Sequence, residues 1–138
     1  MHNIKVEHFY LGCLAHASYL VGSDGVAAVI DPQRDVDIYL EAAARNGLKI
    51  EHIVETHLHA DFVSGHRELQ ERTGATIYLG EGSGAAFPHT SVADGHSIRF
   101  GRCRFDFLQT PGHTPESVCI VMSEEGRPDQ PVAVFTGD

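Results

Sequence analysis

Cysteine is scarce in this sequence, and the few cysteines present are not arranged in pairs. The 138 residues include three, Cys13, Cys103 and Cys119, and no Cys-x-x-Cys motif occurs. An odd number of widely separated cysteines argues against a disulfide framework and against a structural zinc site built from cysteine pairs. The pattern instead favours free thiols in a reducing compartment.

Positive charge and long apolar segments are also scarce. Ten lysines and arginines face nineteen aspartates and glutamates, which gives a net charge of -9. An acidic surface does not attract nucleic acid or anionic membranes, so we expect neither as a partner. No apolar run approaches the roughly 20 residues that span a bilayer, and Met1 to Lys5 lack the hydrophobic region of a signal peptide. We therefore expect a cytoplasmic protein.

The order of predicted elements indicates a mixed fold. With 138 residues, 42% of them hydrophobic, the chain can form one domain with a real core, and we expect residues 1–138 to do so. Strands are predicted over 4–10, 18–21, 26–30, 50–55, 75–79, 97–100, 104–108, 118–122 and 132–135. Helices are predicted from Asp35 or Asp37 to about Arg45 and over 62–72, with a long loop over 80–95. Two strand-helix units between runs of strands predict an α/β (α+β) chain with much antiparallel sheet.

Histidine, by contrast, is abundant, and two of the ten histidines form a cluster with a carboxylate. His57, His59 and Asp61 alternate along the chain just after a predicted strand. On an extended backbone such residues point the same way, whereas on a helix residues two apart do not face each other. The spacing therefore predicts a metal-binding cluster at a strand end. Asp61 can also cap the helix that follows, and both roles can hold at once.

Two later segments repeat the pattern of a strand followed by a tight turn that carries a potential ligand. His113 lies in the turn over 110–115, after the strand predicted to end at Leu108, and Asp138 ends the Thr136-Gly137-Asp138 turn. Glycine permits such turns, and loops at strand ends present ligands from a rigid scaffold. Imidazole and carboxylate donors suit zinc, manganese or iron(II) better than calcium or magnesium.

Together these segments resemble the metallo-β-lactamase superfamily. Its motif is Thr-His-x-His-x-Asp-His, followed by a histidine in a Pro-Gly-His-Thr turn and an aspartate in a Thr-Gly-Asp turn. The chain carries this motif in order, at His57, His59, Asp61, His113 and Asp138, but Phe62 replaces the last histidine of the first segment. The resemblance implies a four-layer αββα sandwich. Because that fold continues beyond the last aspartate, we expect this chain to be its N-terminal part, incomplete at the C-terminus.

The segments over 56–65 and 110–117 are similar to the persulfide dioxygenase branch, especially bacterial forms that often carry rhodanese domains. That resemblance implies one Fe(II) per chain, held by His57, His113 and Asp138, with His59 and Asp61 orienting ligands or bound water. The implied reaction oxidises a low-molecular-weight thiol persulfide, such as glutathione persulfide, with dioxygen to sulfite and thiol. A rhodanese partner or fused domain is a further expectation.

Two other functions remain open. The first is a binuclear zinc thioester hydrolase like glyoxalase II, in which the second metal would need Asp61, the histidine that Phe62 replaces and a distal histidine. A phenyl ring cannot donate to a metal, so we expect one metal. The second is a non-catalytic, truncated half-fold, whose open sheet edge and exposed face would predict a homodimer or aggregation.

Overall fold

Ten strands and two helices form the part of the chain that a computed structural model describes, which is residues 4–11, 16–56, 66–81, 89–110, 117–126 and 131–136. Within these ranges the strands are β1 (Lys5–Leu11), β2 (His16–Ser23), β3 (Val26–Ile30), β4 (Lys49–Val54), β5 (Thr76–Gly80), β6 (Thr90–Val92), β7 (Ser97–Phe100), β8 (Cys103–Gln109), β9 (Val118–Glu124) and β10 (Pro131–Phe135). The helices are α1 (Asp37–Arg45) and α2 (His66–Thr73).

The strands form two sheets of different character. The first, called the mixed sheet below, has the order β1-β2-β3-β4-β5-β6, with antiparallel pairing from β1 to β3 and parallel pairing from β3 to β6. The second, called the antiparallel sheet, has the order β10-β9-β8-β7. The predicted mixed α/β class with much antiparallel sheet is confirmed.

Both faces of the mixed sheet are buried, and this gives the described residues their layers. In β3, Ala28 and Ile30 belong to the core shared with the antiparallel sheet, which also contains Phe105 and Phe107. The neighbouring Ala27 and Val29 face the helices. Because side chains alternate across a strand, a strand buried on both faces is an almost continuous apolar run, as the sequence of β3 shows. The layers are therefore helices, mixed sheet and antiparallel sheet.

Local signals predicted several element ends correctly. The β2–β3 turn lies at Asp24-Gly25, where both residues have positive φ (51° and 84°), as in the tight turns that favour the twist of a hairpin. Helix α1 ends at Arg45, before Asn46-Gly47, as predicted. Its N-cap is Val36, which makes no side-chain cap bond. Asp35 accepts a weak bond from the Asp37 backbone N–H at 3.3 Å.

One element was predicted wrongly, and one is only partly described. The predicted loop over 80–95 contains β6, which pairs in parallel with β5. Only Val92 of its three residues is buried, so the strand is too short and too polar to produce a period-two pattern. Helix α2 begins at His66, and residues 62–65 of the predicted helix lie outside the described residues.

The contact between the β2–β3 and β7–β8 hairpins depends on Gly101. This residue has φ of 56°, and a Cβ atom there would collide with the Ser23 carbonyl. The Ser23 hydroxyl also accepts a bond from the Arg102 N–H at 2.8 Å. We predict that Gly101→Ala lowers the free energy of unfolding by about 2 kcal/mol or more, through backbone strain and the collision.

The matched control is Gly126→Ala. Gly126 also has a positive φ, of 93°, but no atom of the described residues lies within 4 Å of the position that its Cβ would take. Denaturant unfolding of both variants separates strain from collision. Equal losses in the two variants would show that the approach to Ser23 contributes nothing.

Candidate metal centre

The candidate ligands follow three strands whose ends are described, although the ligands themselves are not. His57, His59, Asp61 and Phe62, together with His113 and Asp138, lie outside the described residues. Their placement therefore stays a prediction. The structure does show the residues that flank them, which are Thr56 after β4, Thr110 after β8, Ser117 before β9 and Thr136 after β10.

These flanking residues lie at one end of the two sheets. The Val118 N–H donates to the Thr56 carbonyl at 2.8 Å, which joins the end of β4 to the start of β9. The Thr110 N–H donates to the Ser117 carbonyl at 2.9 Å, so the base of the turn that carries His113 is closed. The segments that carry His57 and His113 therefore leave the sheets from adjacent points.

The third segment leaves from the same end. Phe135, the last residue of β10, lies opposite Ile120 of β9, which lies opposite Phe107 of β8. All three are buried. Asp138 follows Phe135 by three residues, so its segment begins within two residues of the Val118 bond to Thr56. The topology thus brings together the starting points of all three predicted ligand segments, as the sequence pattern requires.

Asp31 fixes the residue that precedes His57. Its carboxylate accepts bonds from the Thr56 N–H at 2.8 Å and from the Thr56 hydroxyl at 2.6 Å. Its own N–H donates to the Val54 carbonyl at 2.8 Å. Asp31 is 3% exposed and has a positive φ of 54°, a conformation that aspartate adopts more readily than most residues. Bonds to a buried carboxylate are strong, so the start of the cluster is held in place.

The sequence analysis missed this role, because it predicts only that a strand ends at Ile30, just before Asp31. The structure explains the contact, because β3 and β4 are parallel neighbours and the carboxyl ends of such strands meet at one edge of a sheet. A polar residue directly after β3 was therefore a candidate partner for the residue directly after β4. The sequence offers no means of deciding that β3 and β4 are neighbours.

A second polar group lies beneath the same strand end, on the side of the helices. Glu55 is fully buried, and its Oε2 atom lies 3.7 Å from Nδ1 of His66, the first residue of α2. The Tyr39 hydroxyl accepts a bond from the Gln33 N–H at 2.6 Å and contacts the Ser18 hydroxyl at 2.6 Å. Burial above all, with the nearby carboxylates adding to it, raises the pKa of Tyr39 to about 12. Tyr39 is therefore a neutral hydrogen-bonding group.

The described part of the chain offers no alternative to the metal site predicted in the three ligand segments. Among the described residues, no three His, Cys, Asp or Glu side chains come together in a way that could hold a metal. Burial raises the pKa of the Cys103 thiol to about 12, which makes it a poor ligand and nucleophile. The imidazole and carboxylate donors predicted after the three strand ends therefore stay the expected donor set. Neither described helix is long and apolar enough to cross a membrane.

Comparisons with known proteins agree with this architecture. The family model of the metallo-beta-lactamase superfamily matches residues 11–138. A hydroxyacylglutathione hydrolase of Francisella philomiragia is 33% identical over 137 residues, which are 98% of this chain and 52% of that protein. The chain thus spans about half the length of the curated relatives it matches.

Solved structures give the same result. A metallo-beta-lactamase from Staphylococcus aureus superposes with a TM-score of 0.88 and 36% identity, over 98% of this chain and 43% of that one. The ETHE1 protein of Myxococcus xanthus superposes with a TM-score of 0.80 and 31% identity, over 86% of this chain and 53% of that one. The predicted fold is confirmed by these similarities.

The bonds between Asp31 and Thr56 should contribute measurably to stability. We predict that Thr56→Val lowers the free energy of unfolding of the metal-free protein by about 1–3 kcal/mol, because a buried carboxylate oxygen loses its hydroxyl donor. Asp31→Ala should cost more than Asp31→Asn, since asparagine tolerates positive φ and alanine does not.

Asp24→Ala is the control for backbone strain, because Asp24 has a φ of 51° but is exposed. Denaturant unfolding would measure all four variants. A loss for Asp31→Ala no larger than that for Asp24→Ala would mean that strain alone explains it and that the bonds to Thr56 add nothing.

Proposed function

This chain belongs to the metallo-β-lactamase superfamily, and we propose that it is a mononuclear non-haem iron dioxygenase that oxidises a thiol persulfide. The observation that carries the proposal is Phe62, which stands where the superfamily motif has the last histidine of its first segment. A phenyl ring has no lone pair to donate, so the second metal of a binuclear site loses a ligand. The similarity of the segments over 56–65 and 110–117 to persulfide dioxygenases supports the same function.

In this proposal His57, His113 and Asp138 hold one Fe(II), with zinc as the alternative metal. Two imidazoles and one carboxylate leave open positions for the persulfide and dioxygen, as in other non-haem iron oxygenases. When bound, the iron supplies the sites at which sulfur and dioxygen react. His59 and Asp61 orient the ligands or bound water through hydrogen bonds.

The remaining contribution of the protein is positional. Thr56, held by Asp31 and by the Val118 N–H, fixes the backbone from which His57 extends. A precise ligand geometry keeps the two reactants adjacent, and this is the main source of acceleration that a scaffold can offer to a metal-centred reaction. Overall, one persulfide, one dioxygen and one water give one thiol, one sulfite and two protons, and the outer sulfur transfers its electrons to dioxygen.

The second candidate is a binuclear zinc thioester hydrolase, and a specific observation favours it. The Francisella relative, 33% identical, is named hydroxyacylglutathione hydrolase. That name points to a glutathione thioester as substrate of the relative, and a glutathione carrier is compatible with both proposals. Phe62 argues against the hydrolase because Asp61 and a shared Asp138 alone would hold a second zinc weakly.

The chain spans about half the length of the relatives it matches. The activity is therefore proposed for the whole protein. We propose a cytoplasmic location, which the odd number and wide spacing of the cysteines favour, and a rhodanese domain as partner. The non-catalytic half-fold predicts neither bound metal nor turnover.

Metal analysis combined with oxygen consumption tests the proposal directly. Protein purified without oxygen should contain about one iron per chain and should take up oxygen when glutathione persulfide is added. His113→Ala should lose both iron and uptake, whereas His8→Ala, a change at an exposed histidine of β1, should lose neither. Zinc without oxygen uptake, together with hydrolysis of S-lactoylglutathione, would overturn the proposal in favour of the hydrolase.

The role of Phe62 can be tested by restoring the missing donor. We predict that Phe62→His raises the zinc content of zinc-loaded protein from about one ion per chain towards two, because an imidazole restores the donor that the superfamily motif places beside Asp61. Phe62→Leu, which keeps an apolar side chain, should leave the content at one. Two zinc ions per chain in the unchanged protein would show that Phe62 does not limit the metal count.

A further inference from the structure

Glu55 and His66 stand on either side of the segment that carries most of the predicted site. Residues 57–65 include His57, His59 and Asp61, and this segment runs from the end of β4 to the start of α2. Oε2 of Glu55 and Nδ1 of His66 are 3.7 Å apart, which is an ion-pair distance. The two side chains are 0% and 12% exposed. The ends of the segment are therefore in contact through buried polar groups.

Each end is also fixed independently to the mixed sheet. The Glu55 N–H donates to the Tyr78 carbonyl at 3.1 Å, which extends the pairing of β4 with β5 by one residue. On the other side, Leu69 of α2 is fully buried in the core between helices and sheet. His66 precedes Leu69 by less than one helical turn, so its ring is directed by a docked helix. Contact between Glu55 and His66 thus connects two anchored elements.

The burial of Glu55 makes this contact energetically important. A carboxylate removed from water is strongly destabilising unless a cation or hydrogen-bond donors compensate it. The imidazole of His66 lies within ion-pair distance and, when protonated, is one group that compensates it. An apolar pair would fill this space without the free-energy cost of burying a carboxylate. The sequence predicts only a strand end and a helix face at these positions. The choice of a buried polar pair at the base of the ligand segment calls for a specific role.

We propose that Glu55 and His66 are positioning residues that close the 57–65 segment at its base and thereby set the metal affinity and coordination geometry of the site. Bringing the ends of a segment together restricts the conformations available to the ligands within it, so less entropy is lost when metal binds. Partners behind the ligands of a metal site commonly influence affinity by about 10–100-fold. The inference rests on the proposed metal site at His57.

The test measures metal binding by the whole chain, without reference to turnover. Dissociation constants for Zn²⁺ and Co²⁺ would be determined by competition with a chromophoric chelator, and the Co²⁺ absorption spectrum would report coordination geometry. We expect Glu55→Gln and His66→Leu each to weaken binding by about tenfold or more and to change the spectrum. The double variant should be little worse than either single one, because both remove the same contact.

Conservative and control variants separate positioning from general stability. His66→Asn keeps an N–H donor close to the position of Nδ1 and should retain most of the affinity that His66→Leu loses. Arg104→Gln and Asp106→Asn break a part-buried ion pair of 3.0 Å within β8, away from the segment. These two variants should change the melting temperature without changing the metal affinity. His66→Asn also provides a folded variant if the larger changes prevent folding.

The outcomes distinguish this inference from the proposed function. If the unchanged protein binds metal and the Glu55 and His66 variants bind it equally well, with the same Co²⁺ spectrum, the positioning role is refuted and the metal site stands. A lower melting temperature with unchanged affinity refutes the positioning role as well, since the pair would then only stabilise the fold. If the unchanged protein binds neither ion, the metal site fails, and the positioning role fails with it.

Discussion

The hydrogen bonds of Thr56 hold together the parts of this molecule on which any function must depend. Its N–H and hydroxyl bind the Asp31 carboxylate at the end of β3, and its carbonyl accepts the Val118 N–H at the start of β9. The first pair of bonds acts within the mixed sheet, and the third connects that sheet to the antiparallel one. One residue thus sets how the two sheets meet at the end where the predicted ligands begin.

This arrangement is possible because both sheets are anchored by apolar cores away from the polar end. Phe105, Phe107 and Ile120 fill the space between the sheets and are fully buried, whereas Tyr39 and Leu69 pack between the helices and the mixed sheet. Such packing fixes the strands, so their ends can carry buried carboxylates without distorting. Rigid strands that end in polar turns are the usual way in which a scaffold presents ligands for a metal.

The sequence was sufficient where the signal is local and insufficient where it depends on contacts between distant residues. The β2–β3 turn, helix α1 and most strands follow from glycine positions and apolar periodicity. The motif residues were recognisable because their spacing and turns are local patterns. The bond between Asp31 and Thr56 spans 25 residues and leaves no periodic trace. The pairing of β6 with β5 and the contact of Glu55 with His66 were missed for the same reason. Local sequence patterns do not show which residues distant in the chain come into contact.

The choice between the two functions proposed above must rest on the metal donors, because overall similarity to known proteins does not decide it. A hydroxyacylglutathione hydrolase at 33% and ETHE1 at 31% are about equally similar to this chain. The contacts of Thr56 are compatible with either reaction, oxygenation or hydrolysis. They fix the position of the backbone at the strand ends and do not select a metal. Selection must therefore come from the side chains that reach the ion, and among these Phe62 is the departure from the superfamily motif. In the function proposed above, loss of a single imidazole lowers the number of metal ions that the site can hold, and a one-metal site with open positions suits dioxygen and a sulfur ligand better than hydrolysis by two zinc ions.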